Sequence, residues 1–390
     1  MDLPFSFESA SRAGQLFTAL ALAAGAAGTA SAQNPDGDMW RNVMRQISPS
    51  TYVARHVSKP PAIDGDLNDE AWKDIPWTRD FGDILPWAPK PLFRTHAKIA
   101  WDDECLYIAA ELEEPHVWAN QVVHDSVIYR DPDFEVFLDP DGDTHNYYEF
   151  EMNARNTTWD LLLEKTYQDG GPARNEWEIA GAKSAVKISG TINDPSDTDK
   201  GWTLEIAFPW ASLAKYAQHP GLPVEGEQWR LNFSRVEWRV FPEPPRYRKA
   251  PNTPEDNWLW SPQGVVDAHR PEMWGIVQFT RQPADVAVSV KSIPGKVARD
   301  IVLDVYYAQR DYAAGHEGSH ARSLQELGWF CDIAQAGLEL PTFEATKDGY
   351  LCHDSFVENG ERITWTIRQD RLLTMKREPL QKAANPAEKN

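Results

Sequence analysis

Asp133-Phe134-Glu135-Val136-Phe137-Leu138-Asp139 and Tyr147-Tyr148-Glu149-Phe150-Glu151-Met152-Asn153 are the two runs that decide the fold. The second alternates its faces residue by residue, the period-2 signature of a strand. Asp133–Leu138 and Tyr147–Met152 therefore read as a strand pair, joined through Asp139-Pro140-Asp141-Gly142-Asp143. In the second run Tyr148, Phe150 and Met152 share one face, while Tyr147, Glu149, Glu151 and Asn153 share the other. Working outward, Thr95–Trp101 and Leu106–Leu112 form another pair around Asp102-Asp103-Glu104. Trp202–Phe208 ends at Pro209, and Arg230–Val236 and Trp274–Phe279 complete the set. Helical signal in this span is confined to Asn68–Trp72 and Trp210–Tyr216. Short strands separated by Pro, Gly and Asp turns predict a mainly β chain, an antiparallel β-sandwich over about residues 50–282.

Beyond Pro294 the pattern changes. Ile301, Val302, Val305, Tyr306 and Tyr312 recur near helical spacing, which predicts a helix within Val297–Ala314. Ser323–Gly328 reads as a second short helix with a Gly stop. Phe343–Leu351 and Ile363–Arg368 read as strands. Residues 294–372 are thus expected to form a small α+β module, with 373–390 a polar, disordered tail.

The 39 Lys and Arg against 59 Asp and Glu give a net charge of −20. That balance argues against nucleic acid or an anionic membrane surface as partner, since both need clustered positive charge. At the N-terminus, Arg12 precedes an apolar run from Leu16 to Ala27 and a Thr29-Ala30-Ser31-Ala32 end. Residues 1–32 read as an export signal, too short to span a bilayer, and no other stretch is apolar enough to span one. The expected compartment is periplasmic or extracellular. There Cys331 and Cys352 are close enough in sequence to form a disulfide, while Cys105 reads as a small buried residue.

Six blocks, in order, resemble a family 9 carbohydrate-binding module. They are Ala62–Trp72 (AIDGDLNDEAW), Ile99–Ile108 (IAWDDECLYI), Asp133–Asp139 (DFEVFLD), Gly201–Pro209 (GWTLEIAFP), Trp229–Arg235 (WRLNFSR) and His269–Gly275 (HRPEMWG). The resemblance spans about Ile63 to Phe279. It implies a β-sandwich in which two aromatic rings clamp a sugar at a chain end and polar side chains read its hydroxyls, with calcium stabilising loops in some members. Tyr129 stands where the first clamping ring falls, and Ala268-His269 where the second does. The C-terminal part, with Tyr306–Tyr312, His316 and Ser323–Gly328, resembles the soluble half of pilin-like proteins.

Sugar recognition needs flat apolar faces and fixed polar groups. Tyr129, His269, Asn153, Arg235, Glu149, Glu151, Trp159 and Asn257 are the candidate ligand residues. The Glu149/Glu151 face reads equally as a ligand surface or a solvated strand face, and Trp159 as a rim or a core ring. Asp139, Asp141 and Asp143 alternate around Gly142. They read either as Asx turns or as an oxygen site suited to Ca2+. The expected partner is a polysaccharide or oligosaccharide. A hydrolase reading would need paired carboxylates, drawn from Asp133, Glu135, Glu149, Glu151 and Glu255. A scaffold without ligand is the third reading. No nucleophile elbow, zinc motif or phosphate loop is present.

Overall fold

The computed structural model describes residues 36–329 and 340–380. The expected export signal, Cys331 of the suggested disulfide and the last ten residues lie outside them.

Strands β1 (Thr51–His56), β2 (Gly82–Asp83), β3 (Thr95–Trp101) and β4 (Cys105–Glu113) come first. Next are β5 (Asp133–Asp139), β6 (Tyr147–Asn153), β7 (Thr158–Leu163), β8 (Ala173–Arg174) and β9 (Lys183–Ser189). Then come β10 (Gly201–Pro209), β11 (Gln228–Glu237), β12 (Val240–Glu243), β13 (Arg246–Lys249), β14 (Asp256–Leu259) and β15 (Gly275–Thr280). Among the described residues, one 13-stranded sheet runs in the order β8-β7-β6-β5-β11-β15-β1-β3-β4-β10-β9, with β14 and β2 paired beside β11. The sheet curls so that its two halves share a core. Phe134, Val136, Phe150 and Met152 of one half join Ile99, Ile108, Leu204 and Phe208 of the other in a single apolar cluster.

The sheet is mixed rather than wholly antiparallel as expected. β1 runs parallel to both β15 and β3. Long connections rather than hairpins join it to both neighbours, so nothing forces the antiparallel sense.

The abundance of Trp has a packing reason. Trp101, Trp210, Trp229 and Phe279 meet edge to face, with Trp210 to Trp229 at 5.7 Å and Trp229 to Phe279 at 5.2 Å between ring centres. The three indoles of this cluster each keep a partner, as burial of an N–H favours: Trp101 Nε1 donates to Ala54 O at 3.0 Å, Trp210 Nε1 to Asp102 O at 2.7 Å and Trp229 Nε1 to Glu227 Oε1 at 3.0 Å. The opening Asp64-Gly65 turn is held by buried Glu205 of β10, which accepts both backbone N–H groups and, at 2.6 Å, Trp72 Nε1. Gly65 has φ +83° and presses on Val186, where a Cβ would come within 2.6 Å of backbone, so only glycine fits.

Downstream, α1 (Asp36–Asn42) packs on a 20-residue helix, labelled here α4 (Lys296–Gly315) after the short α2 (Glu70–Lys73) and α3 (Trp210–Leu213). A four-stranded antiparallel sheet follows: β16 (Thr342–Ala345), β17 (Tyr350–Glu358), β18 (Glu361–Arg368) and β19 (Leu373–Pro379). Two expectations change. Ser323–Gly328 is a single hydrogen-bonded turn, Leu327 N–H to Ser323 O at 3.0 Å, rather than a helix, and Gly328 ends it in the left-handed region at φ 64°. Residues 373–379, expected in the tail, pair with β18 along their length. Only Leu373 of β19 is buried, so the strand lacks the apolar alternation that would have revealed it. No helix of the described residues is long and apolar enough to cross a membrane.

Candidate functional site

Alternation on β5, β6, β7 and β11 sends Phe134, Val136, Phe150 and Phe233 inward, and by period 2 turns the intervening residues outward. The register then writes the outer face. Ser234 of β11 pairs with Glu135, Glu135 with Glu151, and Glu151 with Trp159. The next rung is Asn232, Phe137, Glu149 and Leu161. Side chains directly opposite stand about 5 Å apart, so the glutamates sit side by side on one wall. Carboxylate oxygens of Asp133, Glu135 and Glu151 come within 4.8 Å of one another.

Three partly open rings border this wall. The turn Ile128–Arg130 is anchored by fully buried Ile128. Its Tyr129 N–H donates to Glu151 Oε2 at 3.0 Å, and Trp238 Nε1 donates to Tyr129 O at 2.9 Å. Tyr167 comes from the turn Tyr167–Asp169, and its ring meets His269 edge-on at 4.6 Å between centres. His269 also packs against Phe137 at 5.6 Å, and its Nε2 lies 3.9 Å from Glu149 Oε1. Flat rings around fixed oxygens can receive the C–H faces and hydroxyls of a pyranose.

The electrostatics follow from burial. Burial, then the Glu135 charge, pushes the carboxyls of Asp133, Glu149 and Glu151 well up. Glu135 is pushed up to about 7, again chiefly by burial. Burial also raises the Tyr167 hydroxyl, with Glu149, Glu151 and Tyr129 adding to it. His269 is driven down to about 4 by burial, against the opposing pull of Asp267. Its Nδ1 lies 3.0 Å from the Tyr147 hydroxyl; a neutral ring accepting there carries its proton on Nε2.

That depressed value has a sign. The native state resists protonating His269 while the unfolded chain takes the proton near 6.5, so its contribution is present above 6.5 and lost as pH falls toward 4. A full shift would correspond to about 3 kcal/mol; with the ring 19% exposed, about 2 kcal/mol is expected. Histidine NMR titration should place the His269 midpoint near 4. A midpoint at 6.5 or above would show that the ring is not enclosed.

The other expected ligand residues lie differently. Asn153 is fully buried, its amide donating to Gln121 O and Asp131 Oδ2 and accepting from Arg155 and Thr157 N–H. Trp159 is buried on the outer face beside Glu151. Asn257, half-buried on β14, pairs with Val236. Arg235 belongs to the inner face. Its guanidinium is fully buried against Glu114 at 2.7 Å, Glu237 at 2.6 Å and Thr95 at 3.0 Å. Glu135 and Tyr167 complete the group. Glu135 was legible as a face-mate of Glu149 and Glu151 once the hairpin register was set; Tyr167 sits in a loop without periodicity and left no signal.

Asp139, Asp141 and Asp143 converge within 4.8 Å. Asp139 accepts from Gly142 and Thr144 N–H, and Asp143 from His145 N–H. The turn is further held by Thr144 Oγ1 donating to Arg371 O at 2.8 Å. These are Asx turns whose oxygens also have the donor chemistry of a calcium site. A cleft of about 910 Å³ lies elsewhere, between Arg230 and Arg299 and the Trp365–Met375 edge of the C-terminal sheet.

The fold and this face together are those of a β-sandwich with a carboxylate-floored, aromatic-bordered surface. Residues 63–228 match the model of the carbohydrate family 9 binding domain-like family. Exoglucanase XynX of Acetivibrio thermocellus is 27% identical over 168 residues, 43% of this chain. Endo-1,4-beta-xylanase A of Thermoanaerobacterium saccharolyticum is 26% identical over 167 residues, also 43%. The match spans only 13% and 12% of those relatives' own lengths. Among solved structures, a family 9 module from Caldicellulosiruptor kristjanssonii in complex with cellotriose aligns at TM-score 0.41 and 16% identity, over 62% of this chain and 100% of that one. The same source's module in complex with glucose aligns at TM-score 0.41 and 15% identity, over 61% and 100%.

Proposed function

We propose that this is an exported carbohydrate-recognition protein, periplasmic or extracellular, that binds a polysaccharide or oligosaccharide on the outer face of β5, β6 and β7. The observation that supports this most is the rung Ser234–Glu135–Glu151–Trp159 bordered by the rings of Tyr129, Tyr167 and His269. The family match over 63–228 agrees with it. Tyr129 would stack on one sugar face, and Glu135 and Glu149 would accept from hydroxyls. Carboxylates placed side by side on one wall suit hydroxyl reading better than glycoside cleavage, which needs acids flanking the bond.

Affinity electrophoresis against a polysaccharide panel, with a parallel assay for released reducing ends, tests this. Retardation without sugar release is expected. Tyr129→Ala should then weaken binding about tenfold, the loss of one ring-sugar stack. Retardation unchanged in that variant would remove Tyr129 from the site, and release of reducing sugar would replace binding by hydrolysis.

A further inference from the structure

Four carboxylates crowd the outer wall without a cation. Asp133, Glu135, Glu149 and Glu151 are all more than nine-tenths buried. Among the described residues, no Lys, Arg or His nitrogen lies within ion-pairing distance of Asp133, Glu135 or Glu151. Lys249, whose charge reaches Asp133 and Glu255, donates its Nζ to Arg130 O and lies 3.2 Å over the Trp238 ring centre. Buried like charges at this separation cost several kcal/mol if all are ionised. A second feature points to a missing occupant. The Ser234 hydroxyl, fully buried and directly across from Glu135, stands close enough to pull that carboxyl down but makes no hydrogen bond of good geometry. Asp133 Oδ2 and Glu149 Oε2 are likewise buried without one. Such orphaned atoms are rare in folded proteins, and a bound ion is one way to satisfy three of them on one wall.

We infer that Asp133, Glu135 and Glu151 hold a divalent, oxygen-preferring cation, with Glu149 and the Ser234 hydroxyl facing it, and that hydroxyls of the bound sugar complete its coordination. The second half rests on the carbohydrate reading above; the first does not. Three carboxylates and a hydroxyl, with no imidazole or thiolate, select Ca2+, Mg2+ or Mn2+ over Zn2+ or Cu2+. Tyr129 is tied to the site, because its backbone N–H donates to Glu151 Oε2, an oxygen of one of the proposed ligands. Filling the site would thus fix the ring that borders it.

The test titrates chelator-treated protein with CaCl2, MgCl2 and MnCl2 by calorimetry, without sugar. One of these should bind at a stoichiometric site. Glu135→Gln and Glu151→Gln, which keep shape and remove charge, should weaken that site at least tenfold. Asp141→Asn and Glu178→Gln alter the two other acidic groups, at the Asp139 loop and beside His124, and should leave it unchanged. Circular dichroism establishes that each variant is folded. No binding by the wild type, or binding lost only in Asp141→Asn or Glu178→Gln, overturns the cation site. Affinity for a retarded polysaccharide, measured with and without chelator, tests the bridging role. A loss of at least tenfold in chelator supports it, and unchanged affinity overturns it. Cation binding with no sugar binding under either condition overturns the bridging role and the carbohydrate reading together, while supporting the cation site.

Discussion

Replacing Arg371 by methionine should lower the free energy of unfolding by about 3–5 kcal/mol, the cost of removing one partner from a buried ion pair. The guanidinium is completely buried and joins four segments distant in sequence. Its Nη2 donates to Gln168 Oε1 at 2.8 Å, its Nε lies 3.1 Å from Asp169 Oδ2 and from the Tyr306 hydroxyl, and its Nη1 reaches both oxygens of Glu272 at 3.3 Å. Glu272 also accepts from the Tyr307 hydroxyl, and Tyr306 donates to Asp169 at 2.5 Å. Methionine keeps the aliphatic stem and the backbone conformation's demands, so the effect isolates the charge. Without it, Glu272 and Asp169 remain buried without their strongest partner. The network ties α4 and the turn before β19 to the turn carrying Tyr167, so the variant should also expose the C-terminal sheet to proteolysis before the sandwich. Urea denaturation measures the first effect and limited digestion the second. A shift below 1 kcal/mol would show that the pairs only balance their desolvation.

The second large effect is at Arg235, where methionine should again cost about 3–5 kcal/mol near neutral pH. Here the direction of the pH dependence is diagnostic. Burial, and then the charge of Glu237, pushes Glu114 well up, and Arg235 is what pulls it down. Removing the arginine leaves Glu114 buried beside Glu237, with the Glu114 proton held more tightly in the native than in the unfolded chain. The variant's deficit should therefore shrink as pH falls from 7.5 to 5, since stability of such groups is lost as pH rises. Sugar affinity of the folded variant should stay within twofold of wild type, because Arg235 faces inward while Tyr129, Glu135 and Glu149 face outward. A deficit independent of pH, or a tenfold loss of sugar affinity, would return Arg235 to the ligand site.

The contrast between Arg235 and Glu149 shows what could be read from the sequence. Alternation placed Glu149 and Glu151 on the face opposite Phe150 and Met152, and the structure keeps them there. A period of two puts Arg235 on one face with Glu237, and they do pair. It could not tell that this face, at the end of β11, turns into the sandwich rather than toward solvent, because that depends on which loop covers it. Asn153 was similarly legible as an outer-face residue, but its engagement by Gln121 and Asp131 is a long-range contact without a local trace. β6 is visible because one face is apolar and the other carries polar residues, which is what gives a period of two. β9, β12, β13 and β19 are edge or hairpin strands with exposed polar positions, and charged edges erase the pattern while guarding against aggregation. The parallel placing of β1 is topological, and periodicity contains no information on strand direction.

The central claim is that sugar binds on the carboxylate wall between Tyr129 and His269. The most direct measurement is chemical-shift mapping of the isotopically labelled protein titrated with an oligosaccharide of whichever polysaccharide retards it. The account predicts that the largest changes cluster at Tyr129, Glu135, Glu149, Glu151, Tyr167 and His269. Changes centred instead on Arg230, Arg299 and Trp365, which line the 910 Å³ cleft, would contradict it.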